Sequence, residues 1–172
     1  RAYELLAREC PRTIRSEWRL VSLSMVLMYG LALIAWFAVS KNLDLAPSLL
    51  DPGVVANEIS QLRESRLNGE AFKGNFTFGV EESPNTAVML MLNNIRVSLM
   101  FFGFALIPPL YVYLLSANSL MLGTYTAVAG HWGATGEISS ILWCHGVLEI
   151  QAIILSGVAG LVMARGVLRP GP

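Results

Sequence analysis

Residues 20–39 read LVSLSMVLMYGLALIAWFAV, an unbroken run without Asp, Glu, Lys, Arg or His. As a helix such a run is roughly 30 Å long, the thickness of a bilayer's hydrocarbon core. Trp18 and Trp36 stand near its ends, at the depths where interfacial aromatics collect. The run is too long for the core of a signal peptide, and no small-residue cleavage site leading into a soluble domain follows it. This stretch is the first transmembrane helix, and it sets the class of the chain. Of 172 residues, 54% are apolar and only 14% charged, against about a quarter charged in ordinary globular domains.

Upstream, residues 1–19 set Arg1, Arg8, Arg12, Arg15 and Arg19 against Glu4, Glu9 and Glu17, with Leu5, Leu6 and Ile14 as apolar positions. This is a cytoplasmic juxtamembrane segment, either solvated or lying on the membrane surface. Downstream, residues 40–86 carry Lys41, Arg63, Arg66 and Lys73 against Asp44, Asp51, Glu58, Glu64, Glu70, Glu81 and Glu82. Arginines before the first span and an acidic excess after it place the N-terminus in the cytoplasm and segment 40–86 outside. Asp51 can cap a helix that Pro52 opens; Val54–Leu67 is then helical, and Asn68-Gly69 ends it. The stretch Phe72–Val80 has short alternating character, extended or turning. Within it, Asn75-Phe76-Thr77 matches a glycosylation triplet of a kind common by chance.

From Ala87 to Gly130 the chain is apolar except at Asn93-Asn94, Arg96 and Pro108-Pro109. That length exceeds one span and suits two. A second helix is expected near 87–107 and a third near 110–130, with the diproline at the inner turn. The competing reading is an interfacial helix at 87–96 followed by one kinked span. A final helix near 140–164 ends in Arg165 and Arg169, which lie inside only if the number of spans is even. The expected fold is all-α: a polytopic transmembrane helical bundle of about four spans, built from 20–39 and 87–172, with a partly helical extracytoplasmic segment. A first residue Arg1 and an end at Arg169-Pro170-Gly171-Pro172, directly after an apolar helix, suggest a chain trimmed at one or both ends.

Several function classes drop out. The net charge is zero, with no basic stripe to neutralise phosphates, so no nucleic-acid partner is expected. Cys10 and Cys144 are far apart and form no CxxC pair, so neither a structural zinc nor a disulfide framework is indicated. No phosphate-binding loop, nucleophile elbow or dinucleotide glycine pattern is present. The expectation is a protein that is not an enzyme and takes no cofactor.

Polar groups within the apolar half are the candidate functional residues. Asn93, Asn94 and Arg96 are either helix-packing groups, with the arginine snorkelling outward, or the lining of a polar vestibule. Ala117, Ser119, Gly123, Ala127 and Gly130 form a small-residue stripe for close helix approach, with Asn118 beside it as an interhelical donor. His145 and Glu149 are four apart and share a helical face. That face continues through Ala152, Ser156, Gly157, Ala159 and Gly160, while Ile150, Ile153, Ile154, Leu155 and Leu161 cover much of the rest. A carboxylate inside an apolar span is costly unless paired, protonated or wet, so Glu149 is expected to point into the bundle. Three explanations compete: a hydrogen-bonded His–Glu pair that fixes packing, a proton- or ion-handling site, and a metal or hydrolytic centre. The last lacks both HEXXH and an evident third ligand, so no metal site is assigned. His131 and Glu137 join only if their loop folds inward.

The runs Leu92-Asn93-Asn94-Ile95-Arg96-Val97, Asn118-Ser119-Leu120-Met121-Leu122-Gly123 and His145-Gly146-Val147-Leu148-Glu149-Ile150 resemble the stage II sporulation protein M family. The resemblance covers about residues 85–170, and the first helix and outer segment agree in layout. One departure is Ser119, where the family usually has glycine. The family also usually carries a further transmembrane helix beyond the end of this chain. The resemblance implies a membrane scaffold in a bacterial or archaeal cytoplasmic membrane. The sporulation member is similar to a platform that holds peptidoglycan-degrading partners. The implied partners are the lipid bilayer, other membrane or envelope proteins, and a second copy of the chain through its small-residue faces. The alternative function is a proton- or ion-coupled transporter or channel component using His145 and Glu149.

Overall fold

The computed structural model describes residues 2–70 and 83–168. Every regular element among them is helical. Two short helices, α1 (Ala2–Glu4) and α2 (Cys10–Ser16), flank a π turn at Leu5–Glu9 and lead into α3 (Trp18–Lys41). A 3-10 turn at Leu43–Leu45 and a single-turn α4 (Ala46–Leu49) connect to α5 (Pro52–Asn68). Then follow α6 (Ser83–Phe104), α7 (Pro108–His131) and α8 (Thr135–Leu168). The expected alternating stretch Phe72–Val80, with its Asn75 triplet, lies outside the described residues.

The run that decided the class is α3. Its buried residues, Val21, Ser24, Met28, Ala32, Ala35 and Val39, recur every three or four positions and form one stripe. The remaining surface carries Leu23, Val26, Leu33, Ile34 and Phe37, all exposed. A helix on a water-soluble protein puts charged and polar groups there; an outer face as apolar as the core fits a hydrocarbon solvent. Among the described residues, Trp18–Lys41 and Gly146–Leu168 are the two helices long and apolar enough to cross a membrane. The third predicted span, now α7, has no Asp, Glu, Lys or Arg, but Ser116, Asn118, Ser119, Thr124 and Thr126 dilute its apolar character.

The turn between α6 and α7 follows from Pro108-Pro109. The residue before a proline is pushed out of the helical region, and Ile107 is extended at φ −118°, ψ 94°. The two prolines then occupy the first helical positions, where no backbone N–H donor is needed. Because α6 runs unbroken through Arg96 to Phe104, the alternative of an interfacial helix ending near residue 96 is not what the chain adopts.

Contacts fix the helix directions. Ser119 Oγ lies 3.1 Å from Met28 Sδ, Gly123 lies against Ala32 and Ala35, and Val39 clusters with Ala127, Val128 and Ala129. Residue numbers climb together, so α3 and α7 run parallel. Ser156 Oγ donates to the Ser98 carbonyl at 2.7 Å and Gly160 lies against Phe102 and Ala105, so α6 and α8 also run parallel. Tyr29 meets Gln151 and Glu17 meets Arg165, which makes α8 antiparallel to α3. Direction therefore alternates along the chain through α3, α6, α7 and α8.

Two apolar cores result. One lies inside the bundle around Phe101, Tyr111, Leu115, Ile154 and Val158. The other sits at the end of the bundle that carries Lys41 and His131, where α5 packs Val55 and Leu62 onto Val39, Ala46, Ala127, Val128 and Ala134. The predicted cap forms: Asp51 Oδ1 accepts from the Gly53 and Val54 amides at 2.9 and 3.1 Å, stabilising α5 by about 1 kcal/mol. Gly69, at φ 66°, ends the helix in the left-handed conformation that glycine adopts without strain.

Candidate functional site

The interior seam between the long helices is where the sequence's candidate residues converge. Small residues hold it closed. A β-carbon on Gly123 would stand 2.9 Å from the Ala35 Cβ, and nearer still to the Ala32 carbonyl oxygen. One on Gly157 would stand 2.9 Å from Tyr111 Cδ2 and nearer still to Cε2, and one on Gly160 2.7 Å from the Ala105 Cβ. These separations let helix backbones touch, which is how helices associate in a solvent that supplies no hydrophobic drive between them. The small-residue stripe of α7 is narrower than its spacing predicted: Ser119, Gly123 and Ala127 are buried, but Ala117 and Gly130 are exposed. A helix turns about 100° per residue, so positions off the four-residue spacing drift away from α3.

The polar groups of the seam are mostly ones that motif reading passed over. Gln151 Nε2 donates to Tyr29 Oη at 3.3 Å, linking α8 to α3. Ser119 Oγ donates to its own helix at Leu115 O, 2.6 Å away, as well as facing Met28. Ser24 and the Tyr111 hydroxyl are buried near one another; the Tyr111 hydroxyl and Thr124 Oγ1 make no hydrogen bond. Tyr111 instead packs edge-on to Phe101, with ring centroids 6.0 Å apart. The available signal was a lone polar residue, Gln151 or Tyr29, inside an otherwise apolar run. Asn118, expected as an interhelical donor, bonds the Leu114 carbonyl of its own helix at 2.9 Å. One turn of helix brings that carbonyl within reach, so the amide is satisfied without a neighbour.

The helix that carries His145 and Glu149 also needs a correction. Of the expected inward stripe, Glu149 and Ser156 are half-buried and Gly157 and Gly160 are buried, but Ala152 and Ala159 are exposed. The face that packs inside runs through Gly146, Ile150, Ile153, Ile154, Gly157, Val158 and Gly160. Ile150, Ile153 and Ile154, expected on the rest of the helix surface, are interior, because α8 buries a stripe against α3 and α7 as well as the one facing α6. The backbone of His145 belongs to α8, one turn before Glu149, and its side chain lies outside the described ones. His131 and Glu137 are exposed near the α7–α8 turn and are not brought inward. Of the asparagine pair, Asn93 is exposed and Asn94 half-buried, while Arg96 is exposed.

At the end of the bundle where α3 starts, Arg165 makes a two-pronged ion pair with Glu17, its Nη1 3.2 Å from Oε2. This pair joins the start of the first long helix to the end of the last. At the opposite end, Arg66 Nη1 reaches the Trp132 carbonyl at 3.5 Å, tying α5 to the α7–α8 turn. Beneath α5, Glu58 is 1% exposed. On its other side Ala56, Ile59, Ser60, Arg63, Glu64, Leu67 and Asn68 line an open groove of about 520 Å³.

Comparison with known proteins places the chain. The model of the family described as Stage II sporulation protein M matches residues 24–171. No curated protein and no solved structure matches the chain. The matched region takes in all but the first turns of α3, the segment 40–86 and nearly all of the seam, with Gly123, Glu149, Gly157 and Gly160 inside it. By that match over nearly its whole length, the chain belongs to the stage II sporulation protein M family, and family and apolar helices together make it a membrane protein.

Proposed function

We propose that this membrane protein crosses the bilayer four times with its N-terminus in the cytoplasm, and acts without catalysis as an assembly subunit for other membrane or envelope proteins. The observation that carries this reading is the seam itself. Phe101, Leu115 and Ile154 fill the interior at 0% exposure, and glycine seats bring the backbones into contact around them. A body so closely packed is suited to presenting its outer surface rather than to passing or transforming a solute. Four spans are supported by the alternating helix directions. They are supported also by the charges: Arg8, Arg12, Arg15, Arg19 and Arg165 gather at one end of the bundle, with the acidic segment at the other.

The deciding experiment runs two measurements on one pair of proteins, wild type and Glu149→Gln. Complexes copurified from native membranes should contain stable partners for the wild type and lose them in part for the variant. Liposomes carrying the pure protein should show no pH- or voltage-dependent flux. Flux that vanishes in Glu149→Gln while the complex stays intact would sink the assembly reading in favour of ion handling.

A further inference from the structure

Arg96 stands apart from the other charged groups of the bundle. It is exposed on α6 and has no hydrogen bond or ion pair among the described residues. Around it, Leu92, Ile95, Leu99, Met100, Gly103 and Phe104 form an open apolar groove of about 450 Å³. Its own helix neighbour Ser98 faces the other way, into α8.

Its depth follows from the contacts. Ser98 is level with Ser156, and α8 then runs on to Arg165, which pairs with Glu17 at the inner end. Along the other direction Gln151 is level with Tyr29, from which α3 climbs to Lys41. At 1.5 Å rise per residue, Arg96 lies roughly 17 Å from the inner ion pair and roughly 22 Å from Lys41, so it sits near the middle of the bilayer. The α6–α7 turn offers no short cut, because Leu106 and Ile107 are apolar and exposed. A snorkelling side chain does not cover that distance to either headgroup layer. A guanidinium facing hydrocarbon at this depth is unfavourable unless a counter-charge meets it there.

We propose that the outer face of α6, centred on Arg96, docks a transmembrane helix of another protein that carries an aspartate or glutamate at mid-bilayer depth. The proposal rests on the four-span assembly reading and names the partner's chemistry. A second copy of this chain is a poor occupant. Neither α3, α6 nor α7 has a carboxylate, and α8 has only Glu137 near the outer end and Glu149. Glu149 precedes Ser156 by two helical turns and so lies on the face that α8 turns to its own α6. Leu92, Leu99 and Phe104 supply the apolar contact to either side, and the charge sets register and depth.

The test places a photoreactive benzophenone side chain at Leu99 in the full chain in native membranes, with Leu33 on the exposed face of α3 as the control position. Leu99 should give an adduct with one other protein whose captured transmembrane segment contains an acidic residue, and Leu33 should give lipid adducts. Arg96→Glu should reduce the Leu99 adduct about tenfold or more, because a like charge then faces the acid. Changing that acid to lysine should restore it. Arg96→Leu should also lose the adduct while unfolding at the wild-type temperature, since Arg96 contacts no described partner. Adducts to lipid alone, to a second copy, to a helix without an acid, or insensitive to Arg96→Glu each overturn the proposal. If partners still copurify in such a case, the assembly reading stands and only this face falls; if none copurifies, both fall.

Discussion

Gly123 of α7 lies against the backbone carbonyl of Ala32 on α3, at a separation that no β-carbon fits. This contact sets how closely the two parallel helices approach. Gly123→Ala must push backbone away from backbone, since no flexible side-chain end can yield. A loss of about 1–3 kcal/mol is expected, read as a lower unfolding temperature in detergent. Gly30→Ala is the matched control, because nothing lies within 4 Å of a β-carbon there. It should be neutral or stabilising by about 0.5–1 kcal/mol through helix propensity.

Gly157 and Tyr111 form a second such contact, but with a ring rather than a backbone. Gly157→Ala should therefore be destabilising, and Tyr111→Leu should partly rescue it by vacating the space the new methyl needs. A double-mutant cycle should return a coupling of about 0.5–3 kcal/mol. Purely additive losses would show that the ring does not fill that seat. Tyr111→Phe alone should cost about 1 kcal/mol or less, because the buried hydroxyl it removes has at most the Ser24 hydroxyl beside it.

The Glu17–Arg165 pair closes the inner end, with Arg165 57% exposed and Glu17 17% exposed. Exposed pairs are screened by salt and contribute little each. Arg165→Glu should lower stability slightly at low ionic strength and not detectably at high salt. The charge swap Glu17→Arg with Arg165→Glu should recover most of the loss, measured as unfolding temperature against salt concentration.

Asp51 holds the start of α5. Asp51→Ala leaves the Gly53 and Val54 amides without their acceptor and should cost α5 about 1 kcal/mol. Faster amide exchange confined to α5 is the expected readout, with α3, α7 and α8 unchanged. Equal acceleration across the bundle would show that α5 and the bundle open as one unit.

Much of the architecture was legible from residues alone, for a stated physical reason. Bilayer thickness ties span length to the run at 20–39, Pro108-Pro109 cannot continue a helix from α6, and Asp51-Pro52 with Gly69 encodes both ends of α5. Each of these is a local constraint, satisfied within a few residues of chain. Glycines at 123, 157 and 160 likewise announced close packing, because only a missing side chain allows it.

The identity of each facing partner was not local. Ser119 against Met28, Tyr29 against Gln151 and Arg165 against Glu17 join residues far apart in the chain, and only helix directions and register bring them together. The same holds for which face of α8 turns inward. Its sequence is apolar nearly all round, so periodicity could not separate core from lipid side: on the stripe through Glu149, Gly157 and Gly160 are buried but Ala152 and Ala159 are exposed. The sequence by itself determined that this chain is helical and lives in a membrane, because hydrocarbon tolerates only long apolar runs with their backbone bonds satisfied internally. Tertiary structure alone decided which groups meet and that Arg96 faces outward, because packing between helices depends on contact geometry that no single helix contains.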